Sequence, residues 1–185
     1  MLYESHPWKQ DLLRRKYLIT KYNSFEQFEK NSDAAYTVIE KAIFYSAFII
    51  RKLIDCKSKL SDEADNYKFQ VQARKPLKQI DLMHRWPESD SHDWENEISI
   101  TINGREICNW LIHSYVFFTM EDEDVPVSHF CVSSDFDRNK YLYMISMDDW
   151  IKYIDFIGKD YVAEIDMHYD EKKKDFIFGK KTREK

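Results

Sequence analysis

The N-terminal third of the chain carries its apolar residues with a helical period. Over residues 8–22 the large apolar side chains recur at intervals of about 3.6 residues, which is typical of an amphipathic helix. The helical pattern resumes at Phe25 and runs to about Cys56, and Asn31-Ser32-Asp33 is where a second cap would start a new helix. Because apolar residues cover more than one face of this second segment, we expect it to be the central helix, packed on both sides.

The pattern changes to that of β-strands in much of the remaining chain. Residues 57–66 are polar and loop-like, residues 67–73 alternate strictly as a strand does, and residues 76–94 mix helix and loop signals. We expect the tail after Gly179 to be mobile. The other predicted elements are strands at 98–102, 115–120, 128–134 and 141–145, a helix from Ser146 to Gly158, and a hairpin of residues 161–169 and 175–178.

The dipeptide Asn103-Gly104 has two interpretations. It is either the turn of a hairpin whose return strand begins at Arg105, or the start of a helix that runs to about Ser114. The recurrence of Ile107, Leu111 and Tyr115 at a spacing of four favours the helix.

These elements predict an α+β fold in which an N-terminal helical bundle packs with a C-terminal antiparallel sheet that carries one helix. No repeat, low-complexity tract or linker divides the chain, so we expect residues 1–185 to form a single domain. Its expected parts are a helical layer at 1–60, an irregular part with one strand at 61–97, and mainly antiparallel strands at 98–180 with helices near 105–114 and 147–158.

Charge and composition narrow the function classes. A formal net charge of −5 and a pI near 5.7 argue against a broad basic surface for nucleic acid, and the local basic clusters are more simply solvated faces. The N-terminus lacks the pattern of a signal peptide, and the most apolar run, residues 42–50, is far shorter than the roughly 20 residues that span a bilayer. We therefore expect no membrane association.

Cysteine spacing and the absence of nucleotide-binding motifs exclude further function classes. Cys56, Cys108 and Cys131 are odd in number and form no C-x-x-C pair, so the sequence predicts a cytoplasmic protein with neither disulfides nor a zinc site. The Asp- and His-containing run at 88–93 lacks a second set of ligands at a suitable spacing, and no glycine-rich phosphate loop is present. We expect no metal and no cofactor.

The candidate chemistry lies on the predicted helix after Gly104. Helical geometry places Arg105, Asn109 and His113 in one stripe roughly 80° wide. An imidazole can move a proton, a guanidinium can stabilise charge on a phosphate, and an amide can orient both, so the stripe predicts a catalytic site for phosphodiester cleavage. The alternative is an ordinary amphipathic helix whose polar face includes a histidine.

The pattern Asn109-x-x-x-His113 resembles the end of the signature of HEPN domains, which are small helical bundles of bacterial toxins, abortive-infection proteins and CRISPR-associated proteins. In that family four to six residues stand between an Arg and the His, and an Asn often follows the Arg directly. Cys108 stands directly before Asn109 where the family would have that Arg, and Arg105 lies further upstream. The resemblance implies metal-independent RNA cleavage at a site assembled from two protomers, and hence a homodimer.

Two functions follow as hypotheses, and the sequence leaves open whether the protein is an enzyme. The first is a HEPN-like, RNA-directed protein, either a metal-independent RNase or a degenerate RNA-binding relative, in a bacterial defence or toxin–antitoxin setting. The second is a non-catalytic module that binds a protein partner, as an immunity factor, antitoxin or mobile-element accessory protein does.

Overall fold

Two long helices open the fold, and a mainly antiparallel sheet with further helices follows them. The computed structural model describes residues 2–184 and has the predicted α+β architecture. Its helices are α1 (His6–Tyr22), α2 (Phe25–Asp55), α3 (Asp62–Asp65), α4 (Gly104–Ile112) and α5 (Met147–Gly158). Its strands are β1 (Lys68–Arg74), β2 (Ile98–Asn103), β3 (Ser114–Met120), β4 (His129–Ser134), β5 (Leu142–Ser146), β6 (Val162–Asp170) and β7 (Asp175–Arg183).

The strands form two separate sheets. Five of them make an antiparallel sheet in the order β2-β1-β5-β4-β3, so that β1 from the first half of the chain pairs with β5 from the second. The last two strands pair only with each other, as the β6–β7 hairpin.

Alternating side chains divide the five-stranded sheet into two buried faces. On β5, Tyr143 and Ile145 belong to the main core, which the helices cover, whereas Leu142 and Met144 belong to a smaller cluster on the other face. This is the period of two that a strand imposes. The segment 75–97, through residues such as Ile80, covers that second face.

Most predicted helices are confirmed. Helix α2 is the buried central helix, and its backbone leaves the helical conformation at Asn31 (φ −166°, ψ 95°), whose side chain accepts a hydrogen bond from the backbone N–H of Ala34. This is the expected second cap. Helix α4 replaces the return strand that was the other interpretation of residues after Gly104.

A capping box explains the start of α4. The Asn103 side chain accepts from the backbone N–H of Arg105 (2.7 Å), and the Glu106 carboxylate accepts from the backbone N–H of Asn103 (3.0 Å). Gly104 is also required by packing, because a Cβ at this position would overlap the buried ring of Tyr153.

Two local predictions are wrong. Within residues 57–66 a short helix, α3, forms because Ser61 caps it through a hydrogen bond from the backbone N–H of Ala64. The chain after Gly179 is the end of β7, because it pairs with β6 and Lys181 binds the carboxylates of α3. The segment 76–94 is irregular, as expected for this part of the chain, and contains an isolated bridge between Pro76 and His92.

Candidate functional site

Helix α4 carries all three of the predicted catalytic residues, and the structure places them along its polar side. Arg105 and Asn109 lie within the helix and His113 is its C-cap, with its backbone N–H bonded to the carbonyl of Asn109 (3.0 Å). The opposite side of α4 is apolar and packs into the main core through Ile107, Cys108 and Leu111. The amphipathic pattern therefore fixes which side chains face outward.

Arg105 and Asn109 are joined by residues of α2. The Arg51 side chain donates from Nε to Oδ1 of Asn109 (2.8 Å) and also forms an ion pair with Asp55 one turn along α2. Arg105 donates from Nη2 to Oδ1 of the same Asp55 (3.1 Å). We call the surface formed by Arg51, Asp55, Arg105, Asn109 and His113 the α4 ridge.

These contacts stabilise the ionised form of the Asp55 carboxylate. Partial burial acts to raise its pKa, but the hydrogen bond from Arg51 and the nearby positive charges outweigh it and lower the pKa below its ordinary value. Two guanidinium groups thus share one carboxylate, which leaves an excess of positive charge at this end of the α4 ridge.

His113 lies at the other end of the α4 ridge, in a groove of about 450 Å³. Its side chain is exposed and, among residues 2–184, has no hydrogen-bond partner. Asn109 lines the same groove, whereas Arg105 does not. The remaining residues of this His113 groove are Glu106, Trp110, Ser134, Asp135, Phe136 and Asp137.

The floor of the His113 groove is rigid. Trp110 stacks on Tyr143 of the sheet with ring centroids 3.7 Å apart, and its Nε1 donates to Oδ2 of Asp137 (3.2 Å). The same carboxylate oxygen accepts from the hydroxyl of Ser134 (2.9 Å). These bonds hold the groove around His113 in place and leave its imidazole accessible.

Cys108, the residue in the position of the family's Arg, points into the core. It is fully buried, and burial raises the pKa of its thiol. A charged side chain at this position would therefore face apolar packing and not a phosphate. The guanidinium nearest to Asn109 comes instead from Arg51, which lies 58 residues earlier in the chain.

Arg51 was missed in the sequence because its partner is distant along the chain. The available signal was an Arg and an Asp four residues apart, Arg51 and Asp55, directly after the most apolar part of α2. Such a pair indicates a polar surface at the end of a buried helix, but not which element meets it.

The run at 88–93, whose Asp and His residues raised the question of metal binding, instead forms ion pairs and packing contacts. Glu88 and Asp90 both bind the ammonium of Lys78, and the His92 ring is buried against Trp94. Residues 2–184 contain no cluster of three or more metal-ligating side chains. Within the same range, no helix combines the length and apolarity that a bilayer crossing requires.

Comparisons with protein-family models, with curated proteins and with solved structures gave no match.

Proposed function

We propose that the protein is a HEPN-like, RNA-directed enzyme that binds RNA at the α4 ridge and cleaves it without a metal ion, in a bacterial defence or toxin–antitoxin setting. One observation carries this proposal: Arg51 lies against Asn109 and supplies the guanidinium that position 108 lacks. In this proposal, Arg51 of α2 joins the Asn109-x-x-x-His113 pattern that resembles the family signature.

Each residue of the α4 ridge has a role in this proposal. Arg51 and Arg105 bind the phosphate, since guanidinium donors match the geometry of phosphate oxygens. Asp55 holds both arginines in position until a phosphate takes over one of them. Asn109 orients Arg51, and the accessible imidazole of His113 transfers the proton.

The reaction needs only proton transfer and charge stabilisation. A base takes the proton of the ribose 2′-hydroxyl, the 2′-oxygen forms a bond to phosphorus, and the bond from phosphorus to the 5′-oxygen breaks as that oxygen receives a proton. His113 serves as the base and, once protonated, as the acid. In the homodimer that the resemblance implies, two copies of the ridge contribute to one site.

The test is RNA cleavage by the purified chain in the presence of a chelator. We expect the wild-type protein to cleave single-stranded RNA, leaving a 2′,3′-cyclic phosphate, and His113→Ala to reduce the rate by at least about 100-fold, the usual contribution of a general acid or base. His168→Ala is the matched control, since His168 is exposed on strand β6 and belongs to neither the His113 groove nor the α4 ridge.

Thermal unfolding of both variants checks that the fold is intact. Cleavage that requires added divalent metal, or that survives His113→Ala, would contradict the proposal. So would a wild-type protein that neither binds nor cleaves RNA.

A second function is favoured by a different surface. Four large apolar side chains within ten residues of the segment 75–97 are exposed, each with more than 60% of its surface accessible: Leu77, Leu82, Met83 and Trp86. Exposed apolar groups at this density mark interaction sites. The same segment is rich in carboxylates, so the second candidate is a non-catalytic module that binds a protein with an apolar and basic surface. RNA turnover by the isolated chain would reject it as the sole function.

A further inference from the structure

A cavity that shares Asp55 with the α4 ridge lies between the C-terminal end of α2 and the β6–β7 hairpin. It has a volume of about 800 Å³, within the range of roughly 300–1,000 Å³ that is usual for ligand sites. The N-terminal residues Leu2 and Trp8 close its remaining side. We call it the hairpin cleft.

The walls of the hairpin cleft combine aromatic and basic side chains. Trp8, Phe176 and Phe178 line it, and more than half of the Phe176 surface is exposed. Lys52, Lys57 and Lys173 also line it. Aromatic faces on which bases stack, beside lysines that neutralise phosphates, are what a single nucleic-acid strand requires.

The three lysines that line the hairpin cleft outnumber its two carboxylates. Among residues 2–184, none of Lys52, Lys57 and Lys173 takes part in an ion pair. Of the acidic residues in the lining, Asp55 is paired with the two arginines of the α4 ridge, and Asp175 accepts from the backbone N–H of Phe176 (2.8 Å). An anionic ligand is therefore favoured.

The hairpin cleft is continuous with the α4 ridge. Asp55 lines the cleft and also accepts the hydrogen bond of Arg105. A phosphate bound by Arg105 thus lies beside the mouth of the cleft, and the adjacent nucleotide of the same strand can enter it. A base-paired nucleotide cannot, because its partner strand would have to enter as well.

We infer that the hairpin cleft binds an unpaired nucleotide of the RNA, with its base on Trp8 and Phe176 and its phosphate on the lysines. That the nucleotide belongs to an RNA strand rests on the proposed function. That the ligand has an aromatic base and a phosphate is argued from the lining of the cleft itself. The substrate class is therefore single-stranded RNA, in preference to duplex RNA and to free mononucleotides.

Cys56 provides a direct probe of occupancy. It lines the hairpin cleft and is partly exposed, whereas Cys108 and Cys131 are buried. Alkylation of the native protein by a thiol reagent therefore reports on Cys56, with the other two cysteines as internal controls. The His113→Ala protein is used so that RNA stays intact during labelling.

The experiment compares a single-stranded RNA oligonucleotide, the same sequence as a duplex, and adenosine and uridine monophosphates. We expect the single strand to slow alkylation of Cys56 by at least about fivefold, and the duplex and the mononucleotides to protect less. Fluorescence anisotropy measures the affinity for the single strand in parallel.

Two pairs of variants locate the contact. We expect Phe176→Ala to weaken single-strand affinity by about 5- to 100-fold, the range for loss of one stacking contact. Tyr17→Ala, at an exposed aromatic residue of α1, is expected to leave the affinity unchanged.

The second pair tests the phosphate contact through the salt dependence of binding. Lys173→Met is expected to reduce this salt dependence, whereas Lys174→Met, at the neighbouring position outside the lining, is not.

The failures of this inference and of the proposed function are distinguishable. If RNA binds and is cleaved but Cys56 stays unprotected and Phe176→Ala binds normally, the hairpin cleft is not the nucleotide site, and the proposed function stands. If mononucleotides protect Cys56 and RNA does not, the assignment to RNA is overturned. If nothing binds, both are overturned.

Discussion

The five-stranded sheet with its helices and the β6–β7 hairpin are held together by different forces. The sheet buries apolar side chains on both faces, and α5 alone contributes Trp150, Tyr153 and Ile157 to the main core. Most residues of the hairpin are exposed or half-buried, and a two-stranded hairpin is marginally stable by itself. Its fixed point is Lys181, whose ammonium is buried against α3.

Because of this difference, the two regions are expected to open in different ways. A region held by apolar packing opens only when the core opens, whereas a region held by a few polar contacts can open locally. The hairpin cleft has one wall of each kind, α2 on one side and the β6–β7 hairpin on the other. We therefore expect the hairpin wall to open more readily than the α2 wall.

The largest effect is expected from the apolar region. Trp150 is fully buried, contacts the rings of Phe130 and Tyr153, and donates from Nε1 to the hydroxyl of Ser46 (3.1 Å). Trp150→Ala should cost about 3–5 kcal/mol of unfolding free energy, measured by urea denaturation. The control Trp86→Ala, at an exposed position, should stay within about 0.5 kcal/mol. Equal losses in both variants would contradict the central place of Trp150 in the main core.

The segment 75–97 is attached partly by polar contacts, as the hairpin is, and it should respond to acid. Its His92 is buried, bonded through Nδ1 to the hydroxyl of Ser91 (2.9 Å), with Nε2 buried and unpartnered. Burial lowers the pKa of His92 to about 4, against about 6.5 in an unfolded chain. Between these values the unfolded state binds more protons, so stability is present at neutral pH and is lost as the pH falls from about 6.5 toward 4.

At pH 5 this residue should account for a loss of about 2 kcal/mol relative to pH 7.5. The measurement is urea denaturation at both pH values for His92→Gln, whose pH dependence should be weaker by that amount. His168→Gln is the control, because His168 is exposed on β6 and takes part in no ion pair among residues 2–184. If wild type and His92→Gln had the same pH dependence, protonation of His92 would not be the cause of the lost stability in acid.

The sequence was sufficient for elements defined by local signals. The apolar period of α2, the cap at Asn31 and the alternation of β1 and β2 were all predictable, and the spacing of Ile107 and Leu111 favoured α4 over a return strand. The capping pattern Asn103-x-x-Glu106 was also present in the sequence and would have settled that choice.

What the sequence did not predict depends on contacts between distant residues. The chain after Gly179 resembles a charged tail, and it becomes a strand through pairing with β6 and the contact of Lys181 with α3. The same holds for the candidate site. Arg105, Asn109 and His113 share a helix face and were found together, whereas Arg51 joins them only through the packing of α2 against α4. No local pattern encodes that juxtaposition.

The smallest effect is expected at the anchor of the hairpin. The Lys181 ammonium binds Asp65 and lies 3.7 Å from Asp62. Burial raises the pKa of Asp65, and the Lys181 contact only partly offsets this. Lys181→Met keeps the aliphatic packing but leaves the half-buried carboxylate without its partner, at a cost of about 1–2 kcal/mol.

The other contacts of the hairpin with the rest of the protein include the Arg183–Asp160 ion pair (3.8 Å) and the Arg183 guanidinium over the Phe156 ring, so loss of the Lys181 contact should appear as local opening. Amide hydrogen exchange in β6 and β7 should accelerate about 5- to 30-fold in Lys181→Met, while exchange in β4 and β5 stays at the wild-type rate. The neighbouring exposed Lys180 gives the matched control, since Lys180→Met removes the same charge without touching α3. If exchange in β4 accelerated as much as exchange in β7, the hairpin would unfold only together with the sheet, and the hairpin cleft would have two rigid walls instead of one.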